Sequence, residues 1–220
     1  MVNRNIIGIN GSPRKGWNTY LLVEEALKGA ASNGAATELI NLYDLDFKGC
    51  VSCFECKRIG GPSLGKCARK DGLSPVLEKL AACDGFIIGS PIYIGEVTAG
   101  VRALFERLTF QYISYRKDGS TFNPRRVPST LIYTMNVPES ALDETGYNDK
   151  FKFYEDRMSH IIGPAKTLVC TETWQTKDYR KYEMSMFNEA ERKKRRETVF
   201  PLDRAKAFAL GADLAGLDGR

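Results

Sequence analysis

Ile6-Ile7-Gly8-Ile9-Asn10, running straight into Gly11-Ser12-Pro13-Arg14-Lys15-Gly16-Trp17-Asn18-Thr19, is the stretch on which the fold turns. A short apolar run closed by Gly and Pro reads as a strand entering a loop. Leu21, Leu22, Ala26 and Leu27 then recur at helical spacing, so the segment reads strand, loop, helix.

The same alternation repeats along the rest of the chain. Strands are expected at 38–42, 85–89, 130–135 and 167–171, and helices at 73–82, 98–110, 150–162 and 203–214. Five strands separated by helices predict an α/β fold, a doubly wound parallel sheet with helices on both faces. Phe86-Ile87-Ile88 and Leu131-Ile132-Tyr133 show little polar alternation, which places both strands centrally. A chain of 220 residues, 43% of them apolar, suits one domain over 1–220. Four connections, near 50–70, 112–128, 136–149 and 173–200, are long for such a domain.

No run reaches the ~18 apolar residues of a spanning helix. Met1-Val2-Asn3-Arg4-Asn5 also lacks a signal-like apolar region, so a cytoplasmic protein with no membrane partner is expected. The net charge of +5 is modest, with much of the excess in Arg192-Lys193-Lys194-Arg195-Arg196, and does not imply nucleic acid. A basic run of this kind is expected as a solvated face, with attraction of an NADPH 2′-phosphate as its functional alternative.

In an open parallel sheet, ligands sit beyond the carboxyl ends of strands, where a helix N-terminus points at the site. The loop at 11–19 occupies such a position. Ser12, Asn18 and Thr19 can donate hydrogen bonds to a phosphate monoester, and Arg14 can pair with its charge. Two competing phosphate loops fail on spelling: Gly16 is followed by Trp17-Asn18 instead of Lys-Ser/Thr, and the three-glycine dinucleotide spacing is absent. The plain alternative is that Asn18 and Thr19 cap the helix and Gly-Ser-Pro forms an ordinary turn.

Gly-Ser-Pro-Arg-Lys followed by Asn-Thr resembles the FMN-phosphate loop of NADPH-dependent FMN reductases and iron-sulfur flavoproteins. A second match, Gly89-Ser90-Pro91-Ile92-Tyr93-Ile94-Gly95, corresponds to the loop these families place against the flavin ring. The likeness runs roughly from 6 to 136 and returns faintly in the last helix. It implies a flavodoxin-like sheet of order 2-1-3-4-5. It also implies FMN held by Ser12, Arg14, Asn18, Thr19, Pro91, Ile92, Tyr93, Ile94 and Gly95, with Asn136 as a third contact. NAD(P)H is the implied donor, and a small acceptor such as a flavin or quinone, or a redox partner protein, receives the electrons. Because such FMN sites are often completed by a second subunit, a homodimer or homotetramer is expected, with 110–112 and 151–154 as interface candidates. Hydride chemistry belongs to the cofactors, so no protein acid–base dyad is needed, and His160 is expected to be solvated or packed.

Cys50, Cys53 and Cys56 follow at x2 spacing, and ten residues separate Cys56 from Cys67. Four thiolates in one loop can hold a 4Fe-4S cluster. Zinc suits the spacing less, and disulfides are rare in a reducing compartment. The loop is similar to the compact cysteine motif of iron-sulfur flavoproteins, lengthened here by residues 57–66. A cluster and free thiols beside the flavin are both open on sequence. Gly72 stands where related sequences look acidic and is expected to loosen the next helix, while Cys83 and Cys170 are expected to be buried and inert. Three readings follow: an FMN-dependent oxidoreductase, a one-electron carrier with a cluster, and a non-catalytic flavin-binding sensor.

Overall fold

In the computed structural model, residues 4–216 are described; Met1–Asn3, part of the segment read as lacking a signal, and residues 217–220 lie outside them. The chain runs β1 (Asn5–Asn10), α1 (Asn18–Ser32), β2 (Ala36–Asn41), α2 (Ser74–Ala82), β3 (Gly85–Tyr93), β4 (Glu96–Val97), α3 (Ala99–Phe110), β5 (Ser129–Thr134), α4 (Tyr147–Ile161), β6 (Ala165–Cys170), α5 (Glu189–Thr198) and α6 (Phe200–Gly216).

The strands pair in parallel in the order β2-β1-β3-β5-β6. That is the expected 2-1-3-4-5 order, with the two-residue β4 added as an antiparallel partner of the β3 tip. Ile9 lies opposite Ile40 on one side and Ile88 on the other, and Ile88 lies opposite Leu131. Strand side chains alternate between two cores because successive Cβ atoms point to opposite faces. Ile7, Ile9, Phe86, Ile88, Leu131 and Tyr133 join the residues of α2, α3 and α4. Ile6, Ile87 and Ile132 join those of α1 and α6.

Five expectations change. Helix α4 starts three residues earlier, at Tyr147, and β3 continues past Gly89 to Tyr93. The 173–200 connection contains a helix, α5, which has no buried residue and so carries no apolar stripe to betray it. Gly72 does not loosen α2: its N–H donates to Asp46 O at 2.9 Å, and a Cβ there would lie 2.8 Å from that oxygen. The aromatic stretches read as interface belong largely to the core, with Tyr112, Phe151 and Tyr154 buried and only Phe153 among these rings exposed. Among the described residues, no helix is long and apolar enough to cross a membrane.

Candidate functional site

The two motif loops are stitched together at the C-terminal edge of the sheet. Parallel pairing of β1 with β3 brings Asn10 level with Gly89, and the Gly11 N–H then donates to Gly89 O at 2.8 Å. Thr98, whose side chain caps α3, donates its hydroxyl to Gly11 O at 2.8 Å, while its N–H donates to Ser90 Oγ at 3.0 Å. A Cβ on Gly11 would stand 2.1 Å from Val101 Cγ2 and 2.6 Å from Gly89 O, so only glycine allows this approach.

Asn10, fully buried at the end of an apolar strand, shapes the first loop. Its Oδ1 accepts from Ser12 N–H at 3.1 Å, and its Nδ2 donates to Ser12 O and to Asn41 Oδ1. Ser12 Oγ in turn accepts from Arg14 N–H at 3.1 Å, and the Arg14 guanidinium lies 3.5 Å from the Trp17 ring centre. The helix-cap alternative does not hold. Helix α1 has no side-chain cap; Thr19 Oγ1 is 2.7 Å from Thr134 Oγ1, and Asn18 turns both amide atoms toward the distant residues 174 and 196. Sequence reading missed Asn10, though a lone polar residue closing an apolar strand was its available signal.

One pocket of about 90 Å³ is lined by Ser12, Arg14, Asn18, Thr19, Pro91, Ile92, Tyr93 and Asn136, so eight of the ten flavin candidates converge. Ile94 and Gly95 are not on its wall. They form the turn between β3 and β4, both with left-handed backbone, φ 49° and 76°, as a two-residue hairpin requires. Ile94 is fully exposed there, and Lys150 holds the turn by donating to Gly95 O. Burial pushes the Tyr93 hydroxyl pKa up, with Tyr43 adding and Arg14 opposing. The walls also include Trp174 and Gln175, from a segment in which the sequence showed no motif.

The cysteine loop lies against α3. Cys50, Cys53, Cys56 and Cys67 all line one small cavity of about 20 Å³, with Arg107 and Phe110. Cys56 is buried, whereas Cys50 and Cys53 are exposed. Burial raises the Cys56 pKa, opposed by Lys57 beside it. Ser52 and Phe54 take left-handed backbone, which folds the three closely spaced cysteines around the cavity. Among the described residues, no three His, Cys, Asp or Glu side chains form a group able to hold a metal ion. The loop is anchored through Asp71, whose carboxylate accepts from the fully buried Arg107 at 2.7 and 2.8 Å, from Arg69 at 2.8 Å and from Leu73 N–H at 3.1 Å. Burial alone would raise the Asp71 pKa, but these bonds outweigh it and hold the carboxyl at about 2.

Elsewhere, Cys83 and Cys170 are fully buried, and burial pushes the Cys83 thiol up to about 12 and Cys170 higher still. His160 is exposed on α4, away from the pocket lining. The basic run of α5 is not a uniformly solvated face. Arg192 pairs with Glu172 at 2.9 Å, Arg195 with buried Asp203 at 2.8 Å, and Arg196 donates to Asn18 Oδ1 at 2.9 Å.

Comparison with known proteins agrees with this geometry. An iron-sulfur flavoprotein of Methanocaldococcus jannaschii is 43% identical over 102 residues, 46% of this chain and 50% of that protein. One from Archaeoglobus fulgidus is 35% identical over 120 residues, 54% of this chain and 56% of that protein. The chain thus spans about half the length of the curated relatives it matches. Among solved structures, an NAD(P)H:quinone oxidoreductase from Methanothermobacter marburgensis superposes with a TM-score of 0.72 at 14% identity, covering 97% of this chain and 100% of that one. An azoreductase from Bacillus anthracis gives 0.65 at 11% identity, covering 96% and 99%. At such identities these likenesses show the flavodoxin-like fold alone. The family description "NADPH-dependent FMN reductase" matches residues 4–127, from β1 through both motif loops and past α3, and by this match over more than half its length the chain belongs to that family.

Proposed function

We propose that this protein is an FMN-dependent oxidoreductase that takes reducing equivalents from NAD(P)H and passes them to a small acceptor such as a flavin or quinone. The observation that carries this reading is the stitching of the 11–19 and 89–95 loops over one pocket by Gly11, Gly89, Ser90 and Thr98. Ser12, Asn18 and Thr19, with the N–H groups opening α1, suit the phosphate end; Arg14 adds charge. Pro91, Ile92 and Tyr93 offer flat apolar surface and backbone edges suited to an isoalloxazine, with Ile94 and Gly95 at its outer rim. FMN, when bound, would supply the hydride chemistry, and the side chains would position it and exclude water. Tyr93 and Ile94, apolar and exposed beside the pocket, are where a second subunit would complete the site, so a dimer or tetramer by sedimentation is expected. The test is reconstitution with FMN followed by anaerobic addition of NADPH or NADH. Bleaching of the flavin by either supports the reading, failure to retain FMN refutes it, and retained but unreduced flavin favours a sensor.

A second reading, a one-electron carrier with an iron-sulfur cluster, is favoured by the convergence of Cys50, Cys53, Cys56 and Cys67 on one cavity. The relatives named above are called iron-sulfur flavoproteins. Four thiols suit a cluster in kind, but among the described residues they do not stand as a metal-holding group and about 20 Å³ is the room of a single water, so the loop would have to rearrange and open around it. Iron and acid-labile sulfide in anaerobically purified protein decide the matter; absence of both removes the reading.

A further inference from the structure

The segment 171–200 contributes Thr173, Trp174 and Gln175 to the lining of the pocket and is tied to the phosphate loop by hydrogen bonds. Asn18 Nδ2 donates to Trp174 O at 2.7 Å and Arg14 Nη1 to Gln175 O at 2.6 Å, so two residues of the phosphate loop both reach this segment. From the far end, Arg196 donates to Asn18 Oδ1 at 2.9 Å while packing 3.9 Å from the Phe200 ring centre. Arg192 bridges Glu172, which has left-handed backbone, and donates to Asn136 O at 3.2 Å. Thr173 donates twice to Met135 O, at 3.0 and 3.2 Å.

Within this frame, two polar atoms have no partner among the described residues although both are shut off from solvent. They are Gln175 Nε2, a donor, and Asn136 Oδ1, an acceptor. Both residues line the pocket. The other polar atoms of Gln175 are engaged: its backbone N–H donates to the Tyr179 hydroxyl oxygen at 3.2 Å, Oε1 accepts from that same hydroxyl, and the carbonyl accepts from Arg14. Tyr179 is itself buried against Trp174, so the amide is held in one orientation. Buried polar atoms left unpaired are costly, and an unpaired donor and an unpaired acceptor on residues lining one pocket mark where a ligand completes the bonding. A ribityl phosphate offers both complements, oxygens for Gln175 and hydroxyls for Asn136.

We propose that residues 171–200 act as a strap closing the phosphate end of the flavin pocket in cis, with Gln175 Nε2 as a direct donor to the ribityl phosphate. Arg192 and Arg196 are positioning residues that pin the strap. This rests on the FMN reading and extends it to a part of the chain beyond the family match at residues 4–127.

The test compares dissociation constants of FMN and riboflavin, which differ only in the phosphate, by fluorescence quenching. Gln175→Glu keeps the size and the bond to Tyr179 but turns the donor into a second acceptor facing the phosphate. FMN affinity is expected to fall tenfold or more and riboflavin affinity less than twofold. Arg196→Ala is expected to speed FMN release at least threefold while riboflavin release changes little, and Arg196→Lys to restore most of the difference. Equal weakening of both flavins in Gln175→Glu and Arg196→Ala would overturn the proposal as mere loss of structure, and so would no change. Binding of neither flavin by the unaltered protein would instead refute the FMN reading on which the strap rests.

Discussion

Replacing Asp71 by Asn tests the anchor that fixes the cysteine loop to α3. The carboxylate is 13% exposed, and its main partner, Arg107, is fully buried. The drop in Asp71 pKa from 3.8 to about 2 corresponds to roughly 2 kcal/mol at 1.36 kcal/mol per unit. Because the folded pKa lies below the unfolded one, this stability is complete above about pH 4 and is lost as pH falls through about 2. Asn removes more than that. The Arg107 guanidinium, whose Nε already lacks a partner among the described residues, stays buried without a counter-charge. Deleting one member of a buried pair costs about 3–5 kcal/mol. The larger figure applies to the substitution, since the pKa shift counts only the transfer of a proton while the deletion strands a charge. In a domain of this size the melting temperature should fall by roughly 6–20 °C. Urea unfolding at neutral pH measures the loss, and acid titration followed by circular dichroism measures the pH component, which should be missing from Asp71→Asn. A loss under about 1 kcal/mol, or the same acid profile in both proteins, would refute the anchor.

Three further outcomes are expected. Gly11→Ala drives a methyl into Val101 and the Gly89 carbonyl, so it should cost about 1–3 kcal/mol and weaken FMN and riboflavin together, as thermal melts and flavin titration would show. Ile94→Gly relieves a left-handed β-branched residue and should stabilise the protein by roughly 0.5–1 kcal/mol, yet slow reduction of bound FMN by nicotinamide if the exposed side chain covers the ring. In native protein free of iron, a thiol reagent should modify Cys50 and Cys53 rapidly and reach Cys83 and Cys170 only on unfolding, which mass spectrometry of the labelled peptides would resolve.

The sheet was legible because its signals are local. Apolar runs such as Ile6 to Ile9, ended by Asn10-Gly11, and Phe86 to Ile88, ended by Gly89, announce buried parallel strands without reference to the rest of the chain. Loop spelling likewise exposed Ser12, Asn18, Thr19 and Pro91 to Tyr93, whose chemistry depends on neighbours in sequence. Partners far apart in the chain stayed hidden. Asn18 meets Trp174 and Arg196 across more than 150 residues, and α5 is polar on every side, so neither the strap nor its arginines left a periodic trace. Gly72 and Gly11 were visible as glycines, but only the packing shows that Asp46 O and Val101 are what forbid a side chain there.

The position of the flavin is settled by a crystal structure of the FMN complex. The phosphate is expected within hydrogen-bonding distance of Ser12, Thr19 and Gln175 Nε2, with the isoalloxazine against Pro91 to Tyr93. FMN bound elsewhere, or seated there with its phosphate turned away from the 11–19 loop, would contradict it.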